Sequence, residues 1–232
     1  MPSRALILVD IQNDFCSGGA LAVADGDAVV AVANELMESM TVVNGLVVAT
    51  LDTHPANHGS FASQHEGAEP GDVVKLAGVD QVLWPDHCID GTWGAELHPK
   101  LNSGLIKATC KKGTDPNIDS YSGFYDNDHK SSTGLSEFLH EQGVKEVWIC
   151  GLATDFCVKA TAEDALKEGF EVTIVSEGCR PVDLNPGDGD RALRALEEAG
   201  CTLLKNIRSR GLGDTIEIDM VHGHPRAVLS AI

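Results

Sequence analysis

The stretch VWICGLATDFCV, residues 147–158, predicts both the fold and a first candidate for chemistry. Its apolar run is typical of a buried strand, Gly151 interrupts that run, and a helix is expected to begin at Thr154. This arrangement places Cys157 in the first turn of the helix, where backbone amides are unpaired and the helix dipole favours negative charge. Because both effects make a thiolate easier to form, Cys157 is a candidate nucleophile.

The rest of the chain repeats this alternation of apolar runs and helical segments. Strands are predicted over residues 5–9, 45–50, 104–109, 144–150, 170–176 and 202–204, and helices over 25–40, 133–142, 154–167 and 191–199. Continuous apolar runs joined by helices predict an α/β protein, a three-layer α/β/α fold with a central, mostly parallel sheet flanked by helices on both faces. Since no linker or internal repeat divides the sequence, a single domain over residues 1–232 is expected.

The composition narrows the class of protein. A formal charge of −18, from 17 basic and 35 acidic residues, argues against nucleic acid as a partner. No signal peptide is recognisable and no apolar run approaches membrane-spanning length, so a cytoplasmic protein without a membrane partner is expected. The seven cysteines are odd in number and lack C-x-x-C spacing, which indicates neither a disulfide framework nor a zinc ribbon.

Polar residues stand at or just beyond the carboxyl ends of four predicted strands: Asp10, Asp52, Lys112 and Cys157. Ligands bind at this edge in open α/β sheets, so we expect one shared site. Asp10 is a candidate general base for the thiol, although such an aspartate is also an ordinary helix or turn cap. If its side chain points into the site, Lys112 would lower the pKa of the thiol and hold Asp10 by charge. The alternative is a solvated Lys112, because adjacent lysines usually lie in solvent.

A second group of polar residues lies in DTHPANHGSFASQH (52–65) and WPDHC (84–88). Carboxylate and imidazole groups of this kind are suitable ligands for zinc, iron or manganese. The spacing alone is weak evidence, because histidines in loops are common and usually solvated. The long connection between residues 52 and 103 is nevertheless expected to be functional, since loops of that length inside a domain usually are.

Five segments in this order resemble the nicotinamidases of the isochorismatase-like cysteine hydrolase family: VDIQNDF (9–15), DTHPANHGSFASQH (52–65), WPDHC (84–88), KKGTDPNIDSYSGF (111–124) and GLATDFCVKATAEDA (151–165). The resemblance implies a metal-dependent cysteine amidohydrolase that converts nicotinamide to nicotinate and ammonia through a thioester, in NAD salvage. Pyrazinamide is implied as a further substrate. The implied triad is Asp10, Lys112 and Cys157, with Lys112 chosen over Lys111 because the family's lysine directly precedes a glycine.

The resemblance also implies what surrounds the reacting carbonyl group. A cis peptide bond at Leu152–Ala153 would direct the amides of Ala153 and Cys157 as an oxyanion hole. The side chains expected to bind the substrate are Phe15, Trp84, Tyr121, Leu152 and Phe156. Phe15 and Trp84 are expected to sandwich the pyridine ring.

One divalent metal ion is implied on Asp52, His54 and His87, zinc first, with iron and manganese as alternatives. The family's metal binds the pyridine nitrogen and so positions the substrate. Some relatives have a histidine ligand eight residues beyond the aspartate. Here Ser60 occupies that position and His58 lies two positions before it, so the fourth ligand stays open between water, Ser60 through water, and His58.

Three alternatives remain open at the level of sequence. A related amidase would act on a carbamoyl or ureido substrate, although the metal loop and the aromatic pair argue against it. A metal hydrolase would use a bound water as nucleophile and leave Cys157 a structural residue. A binding protein on the same scaffold would bind a pyridine amide without releasing ammonia. The oligomeric state is not specified, and a homo-oligomer is compatible with the sequence.

Overall fold

A computed structural model describes residues 2–208 and 217–220. The strands are β1 (Arg4–Val9), β2 (Leu46–Asp52), β3 (Val73–Leu76), β4 (Val79–Val82), β5 (Ala108–Lys112), β6 (Glu146–Leu152), β7 (Glu171–Arg180), β8 (Thr202–Arg208) and β9 (Glu217–Met220). The α-helices are α1 (Ala28–Val42), α2 (Leu135–Glu141), α3 (Lys159–Lys167) and α4 (Asp188–Ala199).

The main sheet confirms the predicted fold class. Its strand order is β5-β2-β1-β6-β7-β8-β9, and every pairing is parallel except that of β8 with β9. In the interior strand β1 all residues from Ala5 to Val9 are fully buried. Because successive side chains of a strand point to opposite faces, β1 is covered on both sides. Helix α1 packs on β1, β2, β6 and β7, and α3 packs on β7 and α4.

Several element boundaries differ from the prediction. The strand predicted over residues 104–109 is wrong in position, because Ser103–Leu105 is a turn of 3₁₀ helix and β5 begins at Ala108. Strand β5 lies at the edge of the sheet and is only partly buried, so its apolar signal is weak. The hairpin formed by β3 and β4 was not predicted, since its short strands are largely exposed. Residues Thr154–Val158 form a turn of π-helix before α3 begins.

The sheet brings four strand ends together. Strands β5, β2, β1 and β6 are consecutive neighbours, and the registers pair Asp52 with Lys112 and Val9 with Gly151. A Cβ atom on Gly151 would lie 2.0 Å from the carbonyl oxygen of Val9, so only glycine permits this close approach of β6 to β1. The chain that follows each strand therefore delivers its polar residue to the same edge.

Two expectations concern the chain as a whole. Within residues 2–208 and 217–220, no helix is long and apolar enough to cross a membrane. The single domain over residues 1–232 stays a prediction, and residues 1, 209–216 and 221–232 of it lie outside the described residues.

Candidate active site

Lys112 lies at the centre of a buried cluster of charges. Its Nζ is 3.0 Å from Asp10 Oδ2 and 3.1 Å from Asp52 Oδ1, and it donates to the carbonyl oxygen of Ser120 at 2.9 Å. Burial lowers the pKa of this ammonium, but the two carboxylates raise it well above the usual value, so Lys112 is charged. Lys112 thus holds the ends of β1 and β2 to the end of β5.

The adjacent Lys111, unlike Lys112, lies in solvent. Its side chain is exposed and forms a surface ion pair with Asp90 at 3.1 Å. One lysine is exposed and the other is buried because both lie inside β5, where successive side chains point to opposite faces. The general expectation of a solvated lysine pair is therefore correct for Lys111 and wrong for Lys112, which is 2% exposed.

The Cys157 thiol lies against this charge cluster. Its Sγ is 3.4 Å from Lys112 Nζ. Burial raises the pKa of the thiol well above its usual value, the Lys112 ammonium opposes this shift, and Asp10 and Asp52 add to it. The helix start was expected to make a thiolate easier to form, provided that a base and a cation lie nearby; burial of the thiol acts in the opposite direction. A protonated thiol must pass its proton to a neighbouring base before it can attack.

Asp10 is the candidate base, because its carboxylate and the Cys157 thiol contact the same Lys112 Nζ, at 3.0 Å and 3.4 Å. It is fully buried, with φ +48°. Thr50 Oγ1 donates to Asp10 Oδ1 at 2.6 Å and accepts from the Asp10 amide at 3.2 Å, so the side chain is held in one orientation. Burial raises the pKa of Asp10 above its usual value, although the Lys112 charge opposes the shift. A carboxylate with a raised pKa is a better proton acceptor.

Asp52, His54 and His87 converge at one point. Asp52 Oδ2 lies 3.1 Å from His54 Nε2 and 3.4 Å from His87 Nε2. The Nδ1 atoms of the two histidines donate to backbone carbonyl oxygens, of Gly113 at 2.8 Å and of Pro85 at 2.7 Å. Such bonds fix the ring orientation and direct Nε2 towards a shared ligand.

These three side chains fit a divalent metal ion. Their ligand atoms lie within 4.8 Å of one another, and the buried His54 Nε2 makes no hydrogen bond beside its ionic contact with Asp52. Burial raises the pKa of Asp52, but the His54 and Lys112 charges hold it well below its usual range. Burial lowers the pKa of His54, but Asp52 raises it to about 9. A metal ion bound at Nε2 would have to displace a proton from His54.

Ser60 and His58 are bonded to each other. His58 Nδ1 accepts from Ser60 Oγ at 2.7 Å, and His58 Nε2 donates to the carbonyl oxygen of Ile118 at 3.3 Å. With both ring nitrogens engaged, His58 would have to break a hydrogen bond to become a ligand. The Ser60 hydroxyl is engaged in the same bond, so the fourth ligand of the predicted metal site stays open between water, Ser60 through water, and His58.

A cavity beside Cys157 is lined mainly by apolar and aromatic side chains. Its lining residues are Phe15, Leu21, Asp52, Trp84, His87, Asp119, Tyr121, Ala153, Phe156, Cys157 and Val182. Four of the five residues expected to bind substrate are among them. The fifth, Leu152, is fully buried and does not line the cavity. The Leu152–Ala153 peptide bond is cis, as the resemblance implied.

Sequence reasoning missed several residues of this region. Asp119, Leu21 and Val182 line the cavity. The Gln12 side chain donates to the carbonyl oxygen of Asp52 and accepts from its amide, both at 2.8 Å, and so holds the Asp52 backbone at the end of β2. Gln12 and Asp119 lie within the quoted segments, but no spacing rule selected them. Nothing in the sequence indicates that Leu21 or Val182 reaches the site.

Comparison with known proteins agrees with this geometry. Residues 4–206 match the model of the isochorismatase domain. A nicotinamidase of Escherichia coli (strain K12) is 49% identical over 203 residues, covering 88% of this chain and 95% of the relative. A solved Acinetobacter baumanii nicotinamidase and pyrazinamidase has a TM-score of 0.83 at 42% identity, covering 88% of this chain and 96% of its own.

A third relative is described with a metal. The Pyrococcus horikoshii pyrazinamidase, solved in complex with zinc, has a TM-score of 0.73 at 37% identity and covers 88% of this chain and 100% of its own. The domain match extends over nearly all of the chain from β1 to β8. On this evidence the chain belongs to the isochorismatase family, in the group that includes these nicotinamidases.

Proposed function

We propose that this protein is an amidohydrolase that converts nicotinamide to nicotinate and ammonia, in NAD salvage, and that it also hydrolyses pyrazinamide. The observation that carries the proposal is the contact of the buried Lys112 with both Asp10 and the Cys157 thiol, beside an aromatic cavity. The relatives named above support the choice of substrate, since they are nicotinamidases and pyrazinamidases.

The proposed reaction begins with proton transfer from the Cys157 thiol to Asp10. The thiolate, stabilised by Lys112, attacks the carboxamide carbon and pushes the carbonyl electrons onto oxygen. In the proposed oxyanion hole the amides of Ala153 and Cys157 donate to that oxygen, and one such donor contributes about 3–4 kcal/mol in other enzymes. Asp10 then returns its proton to the departing ammonia, which leaves a thioester.

The same residues complete the turnover. Asp10 takes a proton from a water molecule, and the resulting hydroxide attacks the thioester carbon. The carbon–sulfur bond breaks, the sulfur recovers the proton held by Asp10, and the new carboxylic acid loses its proton to solvent as nicotinate leaves. Each proton that Asp10 accepts is thus returned within one cycle, and Lys112 keeps its charge throughout.

Asp52, His54 and His87 would hold the metal ion of the proposed enzyme. When bound, the ion supplies a positive, Lewis-acidic centre at the cavity wall, where an aromatic nitrogen can bind. Zinc is proposed first, because two imidazoles and one carboxylate are a common zinc set and because the Pyrococcus horikoshii structure is described with zinc. Iron and manganese are the alternatives that the same ligands accept.

Ammonia release from nicotinamide, measured with and without a chelator, tests the proposal. We expect turnover by the wild type, loss of activity with chelator, and recovery on adding zinc, iron or manganese. Cys157→Ala should lower kcat by about a thousandfold or more, because the covalent step is lost. Cys201→Ala is the matched control, since Cys201 is an equally buried cysteine outside the cavity.

Two results would contradict the proposal. Near-normal turnover by Cys157→Ala would leave a metal-bound water as the nucleophile and remove the covalent mechanism. A panel that adds N-carbamoyl and ureido compounds tests the substrate, and faster turnover of these than of nicotinamide and pyrazinamide would favour a related amidase.

A further inference from the structure

Gln81 is a fully buried polar side chain in the otherwise largely exposed β3–β4 hairpin. Its Nε2 donates to Asp119 Oδ2 at 2.8 Å and to the hydroxyl of Tyr121 at 2.9 Å. The carbonyl oxygen of Val82, at 2.8 Å, is a third acceptor for the same NH₂ group. A buried amide is costly unless it is hydrogen-bonded. Here its donors are directed at two residues of the cavity wall.

Asn127 fixes which way the Gln81 amide points. The backbone amide of Tyr121 donates to Asn127 Oδ1 at 2.9 Å. Asn127 Nδ2 must then face the other way, and it donates to Gln81 Oε1 at 3.2 Å. Amide oxygen and nitrogen atoms are assigned from their hydrogen bonds, and a backbone N–H cannot exchange roles. The chain of bonds therefore requires the Gln81 NH₂ group to face Asp119 and Tyr121.

The network reaches a second aromatic side chain through Tyr121. Trp84 Nε1 donates to the Tyr121 hydroxyl at 3.2 Å, so that oxygen accepts from both Trp84 and Gln81. Phe156 packs edge-on against both rings, with centroid distances of 4.8 Å to Trp84 and 5.4 Å to Tyr121. One amide thus holds the relative position of two cavity-lining rings and a carboxylate.

We propose that Gln81 is a positioning residue of the substrate site, which fixes Tyr121 and Asp119 directly and Trp84 through Tyr121 so that the cavity accepts a flat aromatic amide. Gln81 does not line the cavity, and it acts only through the residues that do. The inference rests on the proposed function, because it assigns the aromatic wall to binding of the pyridine or pyrazine ring.

The test compares two variants of Gln81 with a control on the same hairpin. Gln81→Met keeps the length of the side chain but removes its donor and acceptor, and Gln81→Glu keeps an acceptor for Asn127 while replacing the donor that faces Asp119. For both we expect KM for nicotinamide to rise about tenfold or more, with kcat within about threefold, because wall residues bind the ring and the triad is untouched. Lys75→Met, which removes the exposed Lys75–Asp80 ion pair, should leave both constants unchanged.

A second measurement does not depend on activity. The chain has two tyrosines, so 3-fluorotyrosine labelling gives two ¹⁹F resonances, assigned with Tyr121→Phe. Gln81→Met should shift or broaden the Tyr121 resonance, while Lys75→Met should not. Unchanged KM together with an unchanged Tyr121 resonance in both Gln81 variants would overturn the positioning role.

The outcomes separate the two proposals. If the wild type releases no ammonia from nicotinamide, the proposed function fails, and the fluorine signal alone decides whether Gln81 fixes the wall. If the wild type is active and Gln81→Met lowers only the melting temperature, Gln81 is a structural residue and the function stands.

Discussion

At the scale of the residue, two adjacent lysines have different surroundings because a strand points successive side chains to opposite faces of the sheet. Lys111 ion-pairs with Asp90 in solvent, whereas Lys112 is buried between Asp10 and Asp52. Composition and local pattern are the same for both. Their roles differ because only Lys112 faces the edge where β1 and β2 end.

Replacing Lys112 should therefore cost far more stability than replacing Lys111. Lys112→Met leaves two buried carboxylates without their cation, and removing one partner of a buried ion pair costs about 3–5 kcal/mol. Lys111→Met breaks an exposed pair and should cost less than about 1 kcal/mol. Urea unfolding of both variants measures the difference, and equal losses would mean that Lys112 does not hold the strand ends together.

Gly113 limits the position of a predicted metal ligand. It has φ +65°, and a Cβ atom there would lie 2.5 Å from His54 Cε1. We expect Gly113→Ala to displace the His54 ring and to weaken zinc binding by about tenfold or more, as changes beside metal-ligating histidines do. Competition with a chromophoric chelator measures the affinity.

The control for that variant separates backbone strain from the clash. Gly91 also has a positive φ, +78°, but a Cβ atom there meets nothing within 4 Å. Gly91→Ala should lose about 1–2 kcal/mol of stability from the left-handed backbone and keep its zinc affinity. If both variants bound zinc as the wild type does, the His54 position would not depend on Gly113.

At the residue scale, sequence reasoning identified the residues that carry chemistry better than those that support them. Asp10, Asp52 and Cys157 stand after apolar runs, so their shared edge follows from the pattern. No comparable apolar run precedes Gln81 or Asp119. Their environment comes from contacts between segments that are distant in the chain, which a local pattern does not encode.

At the scale of the element, the predicted strands are reliable where both faces are buried and poor at the edges. Strand β1 is apolar throughout and was predicted within one residue. Among the described residues strand β5 has β2 as its single partner, and alternate side chains of β5 face solvent. The apolar stretch before β5 was therefore mistaken for the strand. The β3–β4 hairpin was missed for the same reason, although it supplies Gln81.

The π-helical turn is tied to the loop after β7 by one side chain. The Asp155 carboxylate accepts from the backbone amides of Val182 at 2.9 Å and Asp183 at 2.8 Å, and Val182 lines the cavity. Asp155→Asn can keep only one of these bonds, because its NH₂ group cannot accept. We expect a loss of about 1–2 kcal/mol in thermal unfolding and a raised KM for nicotinamide.

Asp90→Asn is a suitable comparison for that variant. Asp90 accepts from the Lys111 ammonium rather than from backbone amides, and the pair lies on the surface. Wild-type stability and KM in Asp155→Asn would show that the turn and the loop are positioned independently.

At the scale of the whole molecule, a predicted metal ion would add to stability because its ligands come from separate segments. Asp52 ends β2 and His87 lies beyond the β3–β4 hairpin. An ion that binds only the folded chain stabilises it by about 2.7 kcal/mol at a hundredfold excess over Kd. We therefore expect zinc to raise the melting temperature of chelator-treated protein, measured by calorimetry.

His54→Ala provides the control for zinc-dependent stability. It removes one predicted ligand, so zinc should raise its melting temperature much less than that of the wild type. An equal rise in the two proteins would place the stabilising ion somewhere other than on Asp52, His54 and His87.

Strand order along the chain has a consequence for synthesis. Strand β1 is made first, yet its neighbour β6 pairs with it through Val147, about 140 residues after Ala5. At typical translation rates this interval is roughly ten seconds, and an apolar strand edge left open is prone to pair with other chains. A nascent chain stalled before β6 would therefore be prone to aggregate. It would also lack Cys157, so the proposed nucleophile joins the site only after β6, the middle strand of the sheet, has been made.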